Sequence, residues 1–198
     1  MPARHQSLAD SRKPCFPYAL ARPGPTARIL RLVLSILVGV IGCQEQPIRT
    51  TITNEASPRH QAVAGTKVSL IPPPEFASSA NFAGFEQEET GSSIMVMDVP
   101  GDFATLRNAF TPEVMRTQGL ELIRSEDLVI NGREAFLVDA EQAAYGMIFN
   151  KCVLGLNTRD GIVMINGVYP RELSEDLADH IRASITSVVF DAQRSVNP

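Results

Sequence analysis

The sequence predicts an α+β domain built in layers, and two observations carry this prediction. Four strand-like segments follow one another between residues 120 and 170, with turn dipeptides at their junctions. One helical pattern precedes these strands and another follows them. Because consecutive hairpins build an antiparallel meander, strands and helices in this order indicate a sheet with helices packed in layers.

The first elements of the domain are a short strand and a hairpin. KVSLI (67–71) predicts a strand that stops at Pro72-Pro73-Pro74, where the chain must leave in an extended conformation. FEQEE (85–89) and SSIMVMDV (92–99) flank the turn residues Thr90-Gly91 and predict the hairpin.

A helical segment in two pieces comes next. Asp102 is a suitable N-cap and Gly119 a suitable stop, and Pro112 within the segment predicts a break. The apolar residues at helical spacing are Phe103, Leu106, Phe110, Val114 and Met115.

The four strands of the meander are joined by strong turn signals. Their sequences are LELIRSEDLVI, REAFLVDAEQAA, GMIFNKCVLGL and GIVMINGVY. Asn131-Gly132, Tyr145-Gly146 and Asp160-Gly161 lie at the joins, and Asn-Gly is the strongest short hairpin signal.

A closing helix follows Pro170. Acidic residues near its start suit the positive end of the helix dipole. Its apolar stripe consists of Leu173, Leu177, Ile181, Ile185 and Val188.

Upstream of the domain, LVLSILVGVIGCQEQ (32–46) runs from apolar residues through one cysteine into polar chain. The apolar part is roughly 16 Å long as a helix, about half of a ~30 Å hydrocarbon core, so it is too short to span a membrane. Residues 1–42 contain six basic residues and one acid. A basic region before an apolar stretch of this length is typical of an export signal.

The end of this segment, Val40-Ile41-Gly42-Cys43, resembles the lipobox of bacterial lipoproteins. The resemblance implies diacylglycerol on the Cys43 thiol, removal of the signal after Gly42, and acylation of the new amine. A hydrophobic signal cut elsewhere, or an uncleaved anchor, is the alternative. The expected location is the bacterial cell envelope, lipid-anchored, with the domain on the periplasmic or extracellular side. Gln44 favours the outer membrane.

Four regions are predicted along the chain. They are a signal peptide (1–42), the lipidated cysteine with a flexible tether (43–66), the folded domain (67–191) and a disordered tail (192–198). The polar composition of residues 44–66 favours the tether, although PIRTTIT (47–53) could instead add an edge strand.

The charge of the exported part excludes one class of partner. Of 18 basic and 22 acidic residues, six and one lie in residues 1–42, which leaves 12 and 21 in residues 43–198. A surface this acidic repels phosphate backbones, so nucleic acid is not an expected partner.

Three stretches together cover about residues 66–191: LIPPPEFASSANFAGFEQEETGSSIMVMDVP, TQGLELIRSEDLVINGREAFLV and YPRELSEDLADHIRASITSVVFD. They resemble the Mog1/PsbP-like proteins, and most of all the bacterial lipoproteins and secreted proteins of that superfamily, the DcrB-like group included. The resemblance implies a central antiparallel sheet flanked by helices in an α/β/α sandwich. Members serve as binding or assembly factors and share no single chemistry, so the fold leaves function open.

No catalytic constellation emerges from the sequence, and an enzyme is not expected. His180 lies beside Asp179 and one turn from Asp176, where a solvent-facing helix surface is favoured over a metal site or general base. Cys152 is the ordinary thiol of the exported part and is expected to be buried, because a lone thiol in an oxidising compartment is safest there.

Two sets of side chains could bind a small ligand or metal. Met95, Met97, Met147, Met164 and Cys152 carry soft sulfur ligands suited to Cu(I), although core packing is favoured. Phe76, Phe82 and Phe85 could line a ligand or partner groove, although a lid over the core is favoured. The acids Glu86, Glu88, Glu89 and Asp98 are expected to be solvated rather than to bind Ca²⁺.

The sequence therefore predicts an exported, membrane-anchored lipoprotein that acts as a non-catalytic binding or assembly module. Its expected partners are the membrane, through the lipid on Cys43, and a protein; no cofactor is expected. The alternative is a small-ligand or copper-binding lipoprotein that uses the Phe-rich loop or the Met and Cys residues.

Overall fold

A mixed sheet of eight strands dominates the structure, a computed structural model that describes residues 49–196. The strands are β1 (Thr50–Ile52), β2 (Gln61–Ala62), β3 (Val68–Leu70), β4 (Ala77–Ser78), β5 (Gly84–Gln87), β6 (Ser92–Val99), β7 (Leu120–Ile130), β8 (Arg133–Ala144), β9 (Met147–Thr158), β10 (Gly161–Pro170) and β11 (Val189–Phe190). The helices are α1 (Phe103–Asn108), α2 (Pro112–Thr117) and α3 (Ser174–Thr186), with a 3-10 turn at Arg171–Leu173.

The large sheet has the order β1-β7-β8-β9-β10-β6-β5-β4, and only the β1–β7 pair is parallel. The predicted meander β7–β10 and the β5–β6 hairpin are confirmed. Asn131 and Gly132 have φ values of 49° and 74°, the left-handed pair that a tight two-residue hairpin turn requires.

The two faces of the sheet are covered by different layers, because successive side chains of a strand point to opposite faces. Phe136 and Val138 belong to the core under α1 and α2. Ala135 and Leu137 belong to the core under α3 and a small second sheet. The predicted α+β fold, a central sheet with helices on both faces, is confirmed.

Local sequence signals account for the first two helices. The Asp102 side chain accepts a hydrogen bond of 2.8 Å from the backbone N–H of Thr105 and so caps α1. Pro112 begins α2 behind the N-cap Thr111, and Gly119, at φ 74°, follows its end. The prediction of two pieces divided at Pro112 is confirmed.

The closing helix lies close to β10 at a glycine. Ile181 and Ile185 of α3 are fully buried. A Cβ atom on Gly167 would lie 2.4 Å from Ile181 Cγ2, so the helix approaches the sheet at a distance that only glycine permits.

A bulge in β7 changes the face of the sheet to which the even-numbered side chains of the strand point. Leu122 is paired with Ala140 and Arg124 with Asp139, which leaves Ile123 without a partner and 58% exposed. Before the bulge, Leu122 packs with the core under α2. After it, the alternation is reversed, and the even-numbered residues face α3.

A second sheet, of order β11-β3-β2, was not predicted. The strand predicted at 67–71 is its centre, β3, and its Val68 and Leu70 are fully buried in the core under α3. The sheet joins the start of the domain to its end, because β11 follows α3 directly.

The flexible tether predicted over 43–66 is wrong for residues 49–66. Thr50–Ile52 forms the edge strand β1, as the alternative proposed, and residues 61–62 form β2. The Asn54 amide donates to the backbone carbonyls of Thr186 at 2.7 Å and Val188 at 3.1 Å, so this segment binds the end of α3. Residues 43–48 lie outside the described part of the chain.

The disordered tail predicted over 192–198 is wrong at Arg194. Its guanidinium donates to the Val68 carbonyl at 2.9 Å and to Ser69 Oγ at 2.8 Å. Residues 197–198 lie outside the described part. The ordered domain therefore extends beyond 67–191 in both directions.

Candidate functional site

The predicted lipidation site, Cys43, and its recognition residues Val40, Ile41 and Gly42 lie outside the described residues. The anchor therefore stays a prediction. The side chains singled out within the domain can be compared directly with the structure.

The three phenylalanines of the polar loop form part of the core. Phe85 is fully buried, Phe76 is 8% exposed, and both contact the core under α3. Phe82 is half-buried. A ligand groove lined by Phe76 and Phe85 is therefore contradicted, and the alternative of a lid over the core agrees with their burial.

The sulfur-bearing side chains do not form one cluster. Met97 and Met164 are directly opposite each other on β6 and β10. Cys152 belongs to the core on the other face of the sheet, and Met147 lies 47% exposed at the β8–β9 turn. The structure therefore does not bring the five sulfur-bearing side chains together, although Met95 shares the face of Met97 and Met164.

The acidic residues of the β5–β6 hairpin are on the surface. Glu86, Glu88 and Glu89 line a shallow groove of about 440 Å³ together with Glu75, whereas Asp98 lies near a different cavity. Within residues 49–196, no three His, Cys, Asp or Glu side chains form a group that could hold a metal ion.

The Cys152 thiol is buried, as predicted, at 3% exposure. Burial raises its pKa, and the neighbouring Asp139 carboxylate adds to the rise. Because the thiolate is the reactive form, this thiol is a poor nucleophile and a poor metal ligand at neutral pH.

An ionic cluster lies above Cys152 on the face that α3 covers. Arg182 donates to Asp139 at 2.9 Å and to Glu126, and Arg124 donates to the same oxygen of Asp139 at 3.0 Å. The cluster lines a cavity of about 250 Å³. Since each guanidinium faces a carboxylate of the same fold, the cluster fastens α3 to the sheet and leaves little charge for a ligand.

The two histidines of the domain have different surroundings. His180 is exposed on α3, as predicted. His60 bonds Ser57 Oγ through Nδ1 at 2.9 Å and the Ser187 carbonyl through Nε2 at 3.0 Å, so it ties the N-terminal segment to the end of α3. Its isolated position in a polar stretch gave no sign of this role.

A groove of about 570 Å³ lies between the triple proline and α3. Pro72–Pro74 form one wall, and His180, Ala183 and Ser187 are on the other, with Arg59 at the rim. Both walls are stiff, because proline fixes its backbone and α3 is packed on the sheet. The sequence predicted both walls but could not indicate that they face each other.

A second apolar surface lies at the end of the sheet where β8 turns into β9. Tyr145 in this turn is 96% exposed. Next to the turn is a cavity of about 490 Å³, with Leu120, Ala143 and Ile148 in its wall and the charged Arg116, Glu121 and Glu141 also lining it. Tyr145-Gly146 was recognised in the sequence only as a turn signal, so this surface was missed.

Among the described residues, no helix has the length and apolar content that a membrane crossing requires.

No protein-family model matches the sequence, and no curated protein is similar to it in sequence. The structure is similar to that of LpqN, involved in cell envelope biogenesis of Mycobacterium tuberculosis, with 12% identity, a TM-score of 0.49, and 62% of this chain and 82% of that chain covered. It is also similar to cyanobacterial PsbP (CyanoP) from Synechocystis, with 12% identity, a TM-score of 0.47, and coverages of 67% and 91%.

A third similar structure is PA94, a protein of unknown function from Pseudomonas aeruginosa, with 15% identity, a TM-score of 0.47, and coverages of 67% and 87%. A PsbP protein and a cell-envelope protein are thus among the solved structures to which this one is similar. The likeness concerns the fold alone.

Proposed function

We propose that this protein is an exported bacterial lipoprotein, attached to the cell envelope through Cys43, and that it acts as a non-catalytic binding or assembly module. One observation supports the non-catalytic part: the ionic cluster above Cys152 and the ring of His60 are bonded within the fold itself. Arg182 and Arg124 face Asp139, and His60 is bonded at both ring nitrogens. Catalysis instead needs an acid, base or nucleophile aimed at open space.

The groove between Pro72–Pro74 and α3 is the proposed contact surface for a protein partner. Its volume of about 570 Å³ falls within the usual range for a binding cleft. The exposed side chains of Arg59 and His180 can donate hydrogen bonds to carbonyl groups of an extended segment laid between the walls. Stiff walls favour such binding, because the groove loses little conformational entropy when the partner binds.

The anchor is tested by labelling producing cells with a clickable palmitate analogue. We expect label on the wild-type protein and none on Cys43→Ser, which should also keep its signal peptide and run at a higher mass. Equal labelling of both proteins would refute lipidation at Cys43.

The contact surface is tested with a photo-crosslinking amino acid placed in the anchored protein. At Ala183, in the groove, we expect one saturable adduct that excess unlabelled domain competes away. Competitor domain carrying Ala183→Arg should fail, because an arginine there fills the groove. Ala104→Arg is the matched control, since Ala104 is an exposed alanine on α1, across the sheet. Equal competition by both variants would exclude the groove.

A further inference from the structure

We propose that the turn between β8 and β9 rests in the interfacial layer of the lipid bilayer when the protein is anchored. The turn comprises residues 144–147 and is called the hairpin tip below. This inference rests on the proposed anchoring at Cys43 and adds the orientation of the domain on the membrane.

Exposed apolar side chains are concentrated at the end of the sheet that carries the hairpin tip. Tyr145 is 96% exposed and Met147 47%. Ile123, 58% exposed, lies in the bulge near the start of β7, and Val114, 37% exposed, belongs to α2 beside the same end. Within residues 49–196, four of the five exposed large apolar residues therefore belong to this end.

The backbone conformation at the tip is unfavourable for a tyrosine. Tyr145 has φ 53°, a left-handed conformation that costs a bulky side chain energy. In the β7–β8 turn, the corresponding position is Asn131, at φ 49°, and asparagine accepts this conformation more readily. The tip thus carries a large aromatic side chain where a small polar one would be easier to accommodate.

The tip's own end of the sheet also carries exposed charges, at Glu88 and Glu89 in the β5–β6 turn and at Arg171 and Glu172 after β10, but the stretch from Ala143 to Ile148 has none. The hairpin turns at the opposite end are themselves polar. They are the turns at Asn131-Gly132 and at Arg159-Asp160, whose residues are polar or charged and exposed. Asp102, the exposed cap of α1, adds a further negative charge near this end. These groups favour water over a bilayer.

The N-terminal chain enters the sheet from the end that carries the hairpin tip. Strand β1 is parallel to β7, with Thr50 opposite Leu128, so the chain arrives from the side where β7 begins. Seven residues separate Cys43 from Thr50 and can span at most about 25 Å. Leu128 and Leu120 are opposite Ala135 and Gln142, seven residues apart on β8, so about 23 Å separates their levels.

The hairpin tip lies farther along the sheet than Cys43 can reach. By chain length alone, Cys43 can reach at most about the level of Leu120. Tyr145 lies three residues past Gln142, the partner of Leu120, and so projects about 10 Å more. A lipid on Cys43 at the bilayer surface would therefore bring the hairpin tip into the interfacial layer.

The side chains of the tip suit that layer. A tyrosine ring buries its apolar body while its hydroxyl stays with water and headgroups, which is why tyrosine is enriched at membrane interfaces. Because the contact is apolar and the exported part of the chain is acidic, it should form on zwitterionic phosphatidylcholine without anionic lipid.

The sequence contains no tryptophan, so a single introduced one reports on its own surroundings. The protein from Cys43 onward is coupled through that thiol to a maleimide lipid in phosphatidylcholine vesicles, with and without brominated acyl chains. Cys152 is buried and should stay unlabelled. Tyr145→Trp is compared with Arg159→Trp at the opposite end of the sheet, and Met147→Trp serves as a second reporter if the first variant melts early.

We expect the tip reporters to emit at shorter wavelength and to lose emission with brominated lipid, and Arg159→Trp to do neither. Equal quenching at both ends, or none at the tip, would overturn the proposed orientation. Because the lipid is attached chemically, this result does not depend on whether cells lipidate Cys43. A failure of the palmitate labelling and a failure of the orientation are therefore distinguishable.

Discussion

Gly155→Ala should destabilise the protein by pushing on the ring of Phe136. Gly155 lies opposite Phe136 on β9, and an added Cβ atom would be 2.3 Å from the ring atoms Cε1 and Cζ. That distance is far inside van der Waals contact, so the ring or the strand has to move. The variant therefore tests whether the α1–α2 layer covers the sheet as described.

The size of the effect depends on how firmly the ring is held. Phe136 is fully buried, with the rings of Phe103 and Phe110 at centroid distances of 5.6 and 5.0 Å and the Arg107 guanidinium at 5.7 Å. Overpacking costs typically about 1–3 kcal/mol, and a ring enclosed on several sides belongs at the upper end, near 3 kcal/mol. In a domain of this size, that lowers Tm by roughly 6–12 °C.

Urea denaturation in a double-mutant cycle with Phe136→Leu measures the effect. Leucine leaves room for the new methyl group, so Gly155→Ala should cost at least about 1 kcal/mol less in that background. Gly91→Ala is the control: its Cβ would meet nothing within 4 Å, so its cost, caused by φ 67°, should be equal in both backgrounds. An equal cost of Gly155→Ala in the two backgrounds would refute the contact.

Three further predictions concern the thiol, the end of α3 and the extent of the domain. Native Cys152 should react with a maleimide far more slowly than in denaturant. Because its pKa is raised by burial, the unfolded thiol ionises first, so stability should fall as pH rises past the ordinary value of 9.0. Urea midpoints of Cys152→Ala should fall less steeply there, and equal slopes would contradict the assignment. Asn54→Ala should cost about 1–3 kcal/mol by thermal denaturation, because carbonyls at the end of α3 lose their donor, whereas the exposed Asn81→Ala should cost little. A chain of residues 49–196 should melt cooperatively with or without chelator, and well above a chain of residues 67–191; equal Tm values would show that the N-terminal segment adds nothing.

The elements that the sequence predicted are those whose signals are local. The Asn131-Gly132 turn needs positive φ at both residues, and Asp102 needs only a backbone N–H three residues later. Both requirements are met within a few residues, so they can be recognised without knowing the partner strand or helix. The same reasoning placed Pro112 at the start of α2.

The missed elements depend on partners far along the chain. β1 has three residues, too few for a pattern, and is defined by pairing with Leu128–Ile130. His60 and Arg194 look like ordinary polar residues until the fold brings them to Ser187 and Ser69. A polar composition therefore suggested a tether and a tail where long-range hydrogen bonds create order.

The candidate site divides in the same way. Burial of Cys152 and exposure of His180 followed from apolar patterns within one strand and one helix. The groove at Pro72–Pro74 required two distant segments to meet, and no pattern in either one indicates the other. The exposure of Tyr145 could not be predicted from Tyr145-Gly146, because a turn signal indicates the backbone conformation and not the surroundings of the side chain.

The bulge at Ile123 has a consequence for which changes the chain can tolerate. The side chain of Ile123 points into solvent, so most substitutions there should be accepted by the fold. Deleting the residue should also be accepted, because Leu122 would then adjoin Arg124 with both still opposite Ala140 and Asp139, so Leu120 and Leu122 would keep facing α2. The loss of one codon at this position should therefore disturb the fold little more than a substitution does, because the two faces of β7 are fixed by the paired residues on either side of the bulge.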